Sequence, residues 1–242
     1  CKQGKSMQRL KVLLALSLML CSMAAFALDK KPLASYSREA WTTRDGLPHN
    51  QVNSITQTPE GYLWFASWEG LVRYNGQDFR IFTPESIPAL QDHGIRHVSV
   101  GAQGRLIVST SRGGVSVLQK DLWRTYGQSA GLAQNETMAS IEDSQGSIWV
   151  AHESKGLSRI DPRGKVTTYG LKQGLPLERM YAVYMDKNKI IWAGTAQGLV
   201  RIENNRVQSF GEADGLPAGA VYSILAAPEG GLYLGTHRGL FL

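Results

Sequence analysis

Beyond residue 27 this 242-residue chain contains no cysteine, since Cys1 and Cys21 both fall before that point. Neither a disulfide nor a cysteine-ligated metal can brace the rest, and a chain of this length buries enough core to need neither. Basic runs are missing too. Of the charges behind the net +6, Lys2, Lys5, Arg9 and Lys11 sit in an opening segment without a single acid, which leaves +2 on the remainder. A nucleic-acid partner would call for a concentrated basic patch, so no nucleic acid is expected. No apolar run reaches the roughly 20 residues of a membrane span. No stretch after residue 27 repeats with the 3.6-residue period of a helix, which excludes a helical solenoid.

Chemistry-bearing motifs are equally scarce. There is no Gly-x-Ser-x-Gly elbow and no His-Glu-x-x-His pair. His93 and His97 stand four apart, but Gly94 lies between them in a region with no helical pattern, which argues against a zinc pair. The carboxylates are scattered. Asp143 and Asp186 occupy equivalent turn positions and suit turn formers better than catalysts. No cofactor, no metal and no catalysis are expected of this chain.

What is present begins with an export signal. Met7 to Lys11 is basic, Val12 to Cys21 is apolar, and Ala25-Phe26-Ala27 supplies small residues two apart. That order predicts a signal peptide over residues 1–27, cleaved after Ala27, with residues 1–6 upstream of the true start. Leu20 replaces the small residue that a lipoprotein site favours, so no lipid anchor at Cys21 is expected. Residues 28–242 are then an exported domain.

That domain is repetitive. An aromatic stands five positions before a Gly-Leu-Pro-like turn in copy after copy. Trp41 precedes Gly46-Leu47-Pro48, Tyr126 precedes Gly131-Leu132-Ala133, Tyr169 precedes Gly174-Leu175-Pro176, and Phe210 precedes Gly215-Leu216-Pro217. Phe82 holds the same place before the weaker Ile87-Pro88. A second landmark carries Trp64, Trp149, Trp192 and Tyr233 in one slot, filled by Ile107 in the second copy. Gly-Leu then returns at Gly70, Gly156, Gly198 and Gly239, with Gly114-Val115 in the degenerate copy. Each copy holds four short alternating runs between turn residues. In the first copy these are 51–57, 62–67, 71–74 and 79–83, with an Asn75-Gly76 hairpin turn between the last two. Four antiparallel strands every 40–45 residues or so make one propeller blade. The fold class is an all-β β-propeller with about five repeats present. Trp64, Trp149 and Trp192 are expected in the core, and the Gly-His and Trp-Asp markers of WD40 repeats are missing.

The stretch from Asp45 to Phe82, DGLPHNQVNSITQTPEGYLWFASWEGLVRYNGQDFRIF, resembles the two-component regulator propeller repeat. The resemblance extends over residues 36–242 and is strongest in copies one, four and five. Copy three departs at Ala133, and copy two lacks the Trp and most of the Gly-Leu-Pro turn. It implies the periplasmic sensor region of a bacterial membrane receptor whose output is a histidine kinase or a GGDEF diguanylate cyclase. No output domain is recognisable in the chain. The segment 36–42, with Trp41, aligns with an outermost strand and is expected to complete the last blade. Because Leu242 falls within a third strand and the family usually closes with seven blades or more, truncation of a larger ring is expected.

Topology assigns the ligand face. In a four-stranded blade the connection into strand one and the turn between strands two and three share one end, so polar residues there converge. In copy one these are His49, Asn50, Trp68 and Glu69, and in copy two Arg112. Copy three adds Asn135, Glu136, Glu153 and Lys155. Glu178, Arg179 and Gln197 follow in copy four, then His237 and Arg238 in copy five. Trp68 stands out, because the repeat does not need an aromatic at that turn; it could stack on a planar ligand or cover its own blade edge.

Three functions fit. The leading one is a non-enzymatic periplasmic sensor that detects a small molecule, a saccharide or a partner, touches the membrane only through a downstream segment, and pairs as a homodimer by analogy with other receptors. The others are an exported propeller enzyme acting on polysaccharide and a stand-alone binding protein.

Overall fold

The computed structural model describes residues 35–176 and 178–242. The expected signal segment lies outside them. Trp41–Leu242 forms one compact unit, and its strands fall into five consecutive antiparallel sheets. Blade one comprises β1 (Val52–Gln57), β2 (Leu63–Ser67), β3 (Gly70–Tyr74) and β4 (Phe79–Phe82). Blade two has β5 (Ile95–Val100), β6 (Leu106–Thr110), β7 (Val115–Gln119) and β8 (Leu122–Tyr126). Blade three has β9 (Thr137–Glu142), β10 (Ile148–His152), β11 (Leu157–Ile160) and β12 (Val166–Tyr169). Blade four has β13 (Met180–Met185), β14 (Ile191–Thr195), β15 (Gly198–Glu203) and β16 (Arg206–Phe210), and blade five β17 (Val221–Ala226), β18 (Leu232–Thr236) and β19 (Gly239–Phe241). Each blade's first strand touches the first strand of the next, which places β1, β5, β9, β13 and β17 innermost. This is the β-propeller that the repeats predict.

The landmarks now have physical meanings. In blades one, three and four the aromatic ending the fourth strand meets the Trp of its own second strand, across the third. Ring centroids lie 5.5 Å apart for Trp64–Phe82, 5.2 Å for Trp149–Tyr169 and 6.2 Å for Trp192–Phe210. Such pairs add about 0.5–1.5 kcal/mol beyond their buried area. The cross-strand partner of each Trp is an arginine, Arg73, Arg159 and Arg201, with its guanidinium 5.5–5.9 Å from the indole centroid. The Gly-Leu-Pro turn closes a short 3-10 segment. Gly46, Gly131, Gly174 and Gly215 take the left-handed cap, and the following Leu donates its amide back to residue 42, 127, 170 or 211. Leu47, Leu132 and Leu175 are thereby tucked into the core. Blade two departs from this pattern: its 3-10 segment, Pro88–Leu90, is capped by Gln91 in the left-handed conformation, and the buried leucine, Leu90, is the segment's own last residue.

Asp143 and Asp186 are turn formers, as their spacing suggests, and each does more. One oxygen of Asp143 accepts the amides of Gln145 and Ser147, and the other accepts the Trp149 indole N–H at 2.9 Å. Asp186 repeats the pattern with Asn188, Ile190 and Trp192. In blade one Thr58 occupies that position, and the buried Trp64 Nε1 has no partner. A buried orphan donor costs about 1–3 kcal/mol. Thr58→Asp is therefore expected to stabilise the protein by about 1 kcal/mol. A urea midpoint that stays put or falls would refute this account of the turn.

The structure corrects one expectation. Residues 36–42 form no strand, and blade five has three strands among the described residues. Trp41 instead packs on blade one, with ring centroids 4.8 Å from Tyr74, 5.7 Å from Phe79 and 6.5 Å from Phe65. Its indole is committed to that aromatic cluster, which also covers Leu47 and Val72.

Candidate functional site

Every innermost strand opens with the same irregularity. The register slips between Val52 and Ser54, Ile95 and His97, Met180 and Ala182, and Val221 and Ser223. In blade three the slip falls opposite Met138. Each slip is a β-bulge, which frees one residue from the ladder and re-aims its side chain. The freed residues are Asn53, Arg96, Met138, Tyr181 and Tyr222, one per blade. They reach from blade to blade. Asn53 donates to the Ile95 carbonyl at 2.8 Å, the Arg96 guanidinium meets the Met138 sulfur, and the Tyr181 and Tyr222 rings cross edge to face at 4.8 Å.

Beside the blade-two and blade-three part of this arc lies an open cleft of about 740 Å3, a size in the roughly 300–1,000 Å3 range of ligand sites. Its walls come from the turns of three blades: Trp68 and Glu69 from blade one, Asp92, His93, Gly94, Ser111 and Arg112 from blade two, Glu136 and Glu153 from blade three, and Arg96 from the bulge. The connection into strand one and the turn between strands two and three do share this end, tied together by Ser111 N–H to the Gly94 carbonyl, Glu153 N–H to Glu136 and Ala196 N–H to Arg179.

Charge in the cleft is organised around two carboxylates. Asp92 is buried, which raises its pKa, but the Ser111 hydroxyl, the Gly94 and Arg112 amides and the Arg112 guanidinium outweigh that and hold it below the ordinary range. Glu153 bridges blades. One oxygen pairs with Arg96 at 3.2 Å and the other with Arg179 at the start of blade four. His93 turns outward to Glu85 at 3.1 Å.

Of the residues expected at this face, Trp68, Glu69, Arg112, Glu136 and Glu153 line the cleft, and Arg179 joins through Glu153. Others hold the turns instead. Asn50 and Asn135 each accept the amide seven residues earlier, from Thr43 and Gln128, and His49 Nδ1 accepts the Gln51 amide. Gln197 and Glu178 line a separate, smaller hollow on blade four. Lys155, His237 and Arg238 are exposed and lie outside the cleft lining; the His237 ring packs beside Gly219. Arg96, Asp92 and Ser111 are additions that spacing alone did not single out.

A lookalike of catalytic geometry occurs in blade three. His152 Nε2 lies 2.8 Å from the Ser158 hydroxyl, but both residues are fully buried, so no substrate can reach the pair. Among the described residues no group of three metal-ligating side chains comes together, and no helix is long and apolar enough to cross a membrane.

Comparison with known proteins agrees with this architecture. Residues 46–69 match the family model of the two component regulator propeller. The chain superposes on the extracellular domain of the hybrid two component system BT3049 from B. thetaiotaomicron with a TM-score of 0.73 and 24% identity, over 84% of this chain and 30% of that one. It also resembles virginiamycin B lyase from Staphylococcus aureus (TM-score 0.62, 15% identity, 78% of this chain and 67% of that one). A third similar structure is PorZ of the type-IX secretion system of Porphyromonas gingivalis (TM-score 0.61, 17% identity, 88% and 34%). At these identities the likeness is one of fold. The chain spans about a third of the BT3049 and PorZ structures. No curated protein sequence matches it.

Proposed function

We propose that this propeller is the periplasmic ligand-sensing part of a bacterial transmembrane signalling receptor, with the cleft at blades one to three as its binding surface. The observation that carries the reading is a coincidence of two similarities, the regulator-propeller match at residues 46–69 and the superposition on the extracellular domain of a hybrid two component system. The cleft supports it, since turns from separate blades meet there and the Arg96–Glu153–Arg179 bridge spans three of them. A ligand that competes for this bridge changes how the blades are tied to each other, and strain between blades is what a receptor can transmit.

The test is to read the coding sequence past Leu242. An apolar segment of about 20 residues followed by a kinase or diguanylate cyclase domain is expected. A stop codon directly after Leu242 would sink the receptor reading. An exported propeller enzyme is the second reading, favoured by the lyase likeness and by the free cleft carboxylates Glu69 and Glu136. Turnover of a polysaccharide by the purified chain would bring it forward.

A further inference from the structure

The charged groups of the cleft divide into those already satisfied and those that are not. Asp92 is saturated by Ser111, Gly94 and Arg112. Glu153 serves two guanidiniums at once, so the Arg96–Glu153–Arg179 triad carries one surplus positive charge. Within it the Arg96 Nε is buried and has no acceptor. On the other side, the Glu69 and Glu136 carboxylates accept no hydrogen bond and make no ion pair among the described residues, although both line the cleft. Trp68 lines it as well and is half-buried, with its indole beside Gly94.

One cleft thus offers two free carboxylates, a surplus of guanidinium charge, and an indole. We infer that it recognises a zwitterion, the α-ammonium carboxylate of a free amino acid, an inference that rests on the ligand-sensing reading of the propeller. The ammonium group goes to Glu69 and Glu136, where a cation also gains from an aromatic face. The carboxylate goes to Arg96 and Arg112, whose guanidiniums bind such groups in a forked geometry. A simple anion would face the two free carboxylates, and a simple cation would leave the arginine surplus unmet. A neutral ligand would forgo the charge-assisted hydrogen bonds, which are about twice as strong as neutral ones. Complementary charge of both signs is the feature that selects.

The purified chain is titrated calorimetrically with L-phenylalanine, L-leucine and L-glutamine, and with 2-phenylethylamine and 3-phenylpropanoate, which each lack one charge of phenylalanine. At least one amino acid is expected to bind. If phenylalanine is among them, each single-charge analogue binds at least about tenfold more weakly, corresponding to one charge-assisted contact set. Glu136→Gln weakens the amino acid and leaves 3-phenylpropanoate unchanged. Arg112→Gln, at a side chain that is mostly solvent-exposed, weakens the amino acid and leaves 2-phenylethylamine unchanged. Equal affinity for the single-charge analogues, or no binding of any of the three amino acids, overturns the inference. Should a receptor output nevertheless lie beyond Leu242, the sensing reading stands with a different ligand. Amino-acid binding by a chain that stops at Leu242 leaves the inference intact and removes the receptor.

Discussion

Lowering the pH from 7 to 5 is expected to destabilise the propeller by about 2–4 kcal/mol, read as a fall in the urea midpoint followed by tryptophan fluorescence. Two buried histidines cause it. His152 has no exposed surface, and burial pushes its pKa down to about 4 against the opposing Glu136 backbone. His97 is also lowered to about 4 by burial, on the innermost strand where its Nδ1 accepts the Ser140 amide. Because both folded values lie below the unfolded value of about 6.5, the unfolded chain takes up protons first. Stability is therefore full above about pH 6.5 and falls as pH drops toward 4, by about 2 kcal/mol for a fully buried histidine at pH 5. His97 keeps some solvent exposure, so its share is the smaller. Glu142 works in the opposite direction, since burial raises its carboxyl against the pull of Arg105. Asp92 loses its contribution only in more acidic solution.

The repeat itself supplies the control. Where blade three has His152, the other blades place Ser67, Thr110, Thr195 and Thr236, each donating its hydroxyl to the carbonyl of the glycine that opens, or in blade two precedes, strand three. His152→Thr can make the same bond to Gly156 and removes the titrating ring. About half or more of the pH dependence should vanish in this variant. An unchanged slope would place the acid sensitivity elsewhere.

Gly198→Ala is expected to cost on the order of 3 kcal/mol or more, measured by chemical denaturation. Gly198 has φ +145°, and an added Cβ would lie 2.2 Å from the Phe210 carbonyl oxygen. That oxygen belongs to the backbone of the adjacent strand and cannot swing away. Gly156 and Gly114 meet Tyr169 and Tyr126 in the same manner, at 2.4 and 2.1 Å. Gly215→Ala separates the two causes. Its φ is +90°, but nothing lies within 4 Å of the new atom, so only backbone strain of about 1–2 kcal/mol remains. If both variants lose the same stability, close approach to the fourth strand is not why the Gly-Leu landmark recurs.

Much of this fold is readable from the residues. The landmarks are packing requirements repeated in most blades, so their period shows through: the Trp and the strand-four aromatic meet in blades one, three and four, Leu47, Leu132 and Leu175 of the Gly-Leu turns are buried, and Asp143 and Asp186 cap equivalent turns. The end of the propeller that carries Trp68, Glu69, Arg112 and Glu153 followed from antiparallel connectivity alone. Two kinds of information were hidden. Arg96 reaches the cleft because of a bulge, and a bulge is defined by the partner strand's hydrogen bonds rather than by any residue pattern. The Arg96–Glu153 pair is 57 residues apart, longer than one repeat, so no single copy contains it. Asn50 and Asn135 read ambiguously for a related reason: a polar side chain at a turn can face a ligand or its own backbone, and the sequence is the same in both cases. The expected strand at 36–42 failed because Trp41 found a more complete aromatic partner in Tyr74, Phe79 and Phe65.

The bulges have a consequence for how such a protein can diversify. A residue released from the ladder carries no pairing duty within its own blade, so its exchange is felt at the neighbouring blade it touches. The inner rim is then a word of five letters, Asn-Arg-Met-Tyr-Tyr in this chain, written by Asn53, Arg96, Met138, Tyr181 and Tyr222. Spelling changes while the scaffold stays constant, and letters that touch, Arg96 with Met138 and Tyr181 with Tyr222, change together.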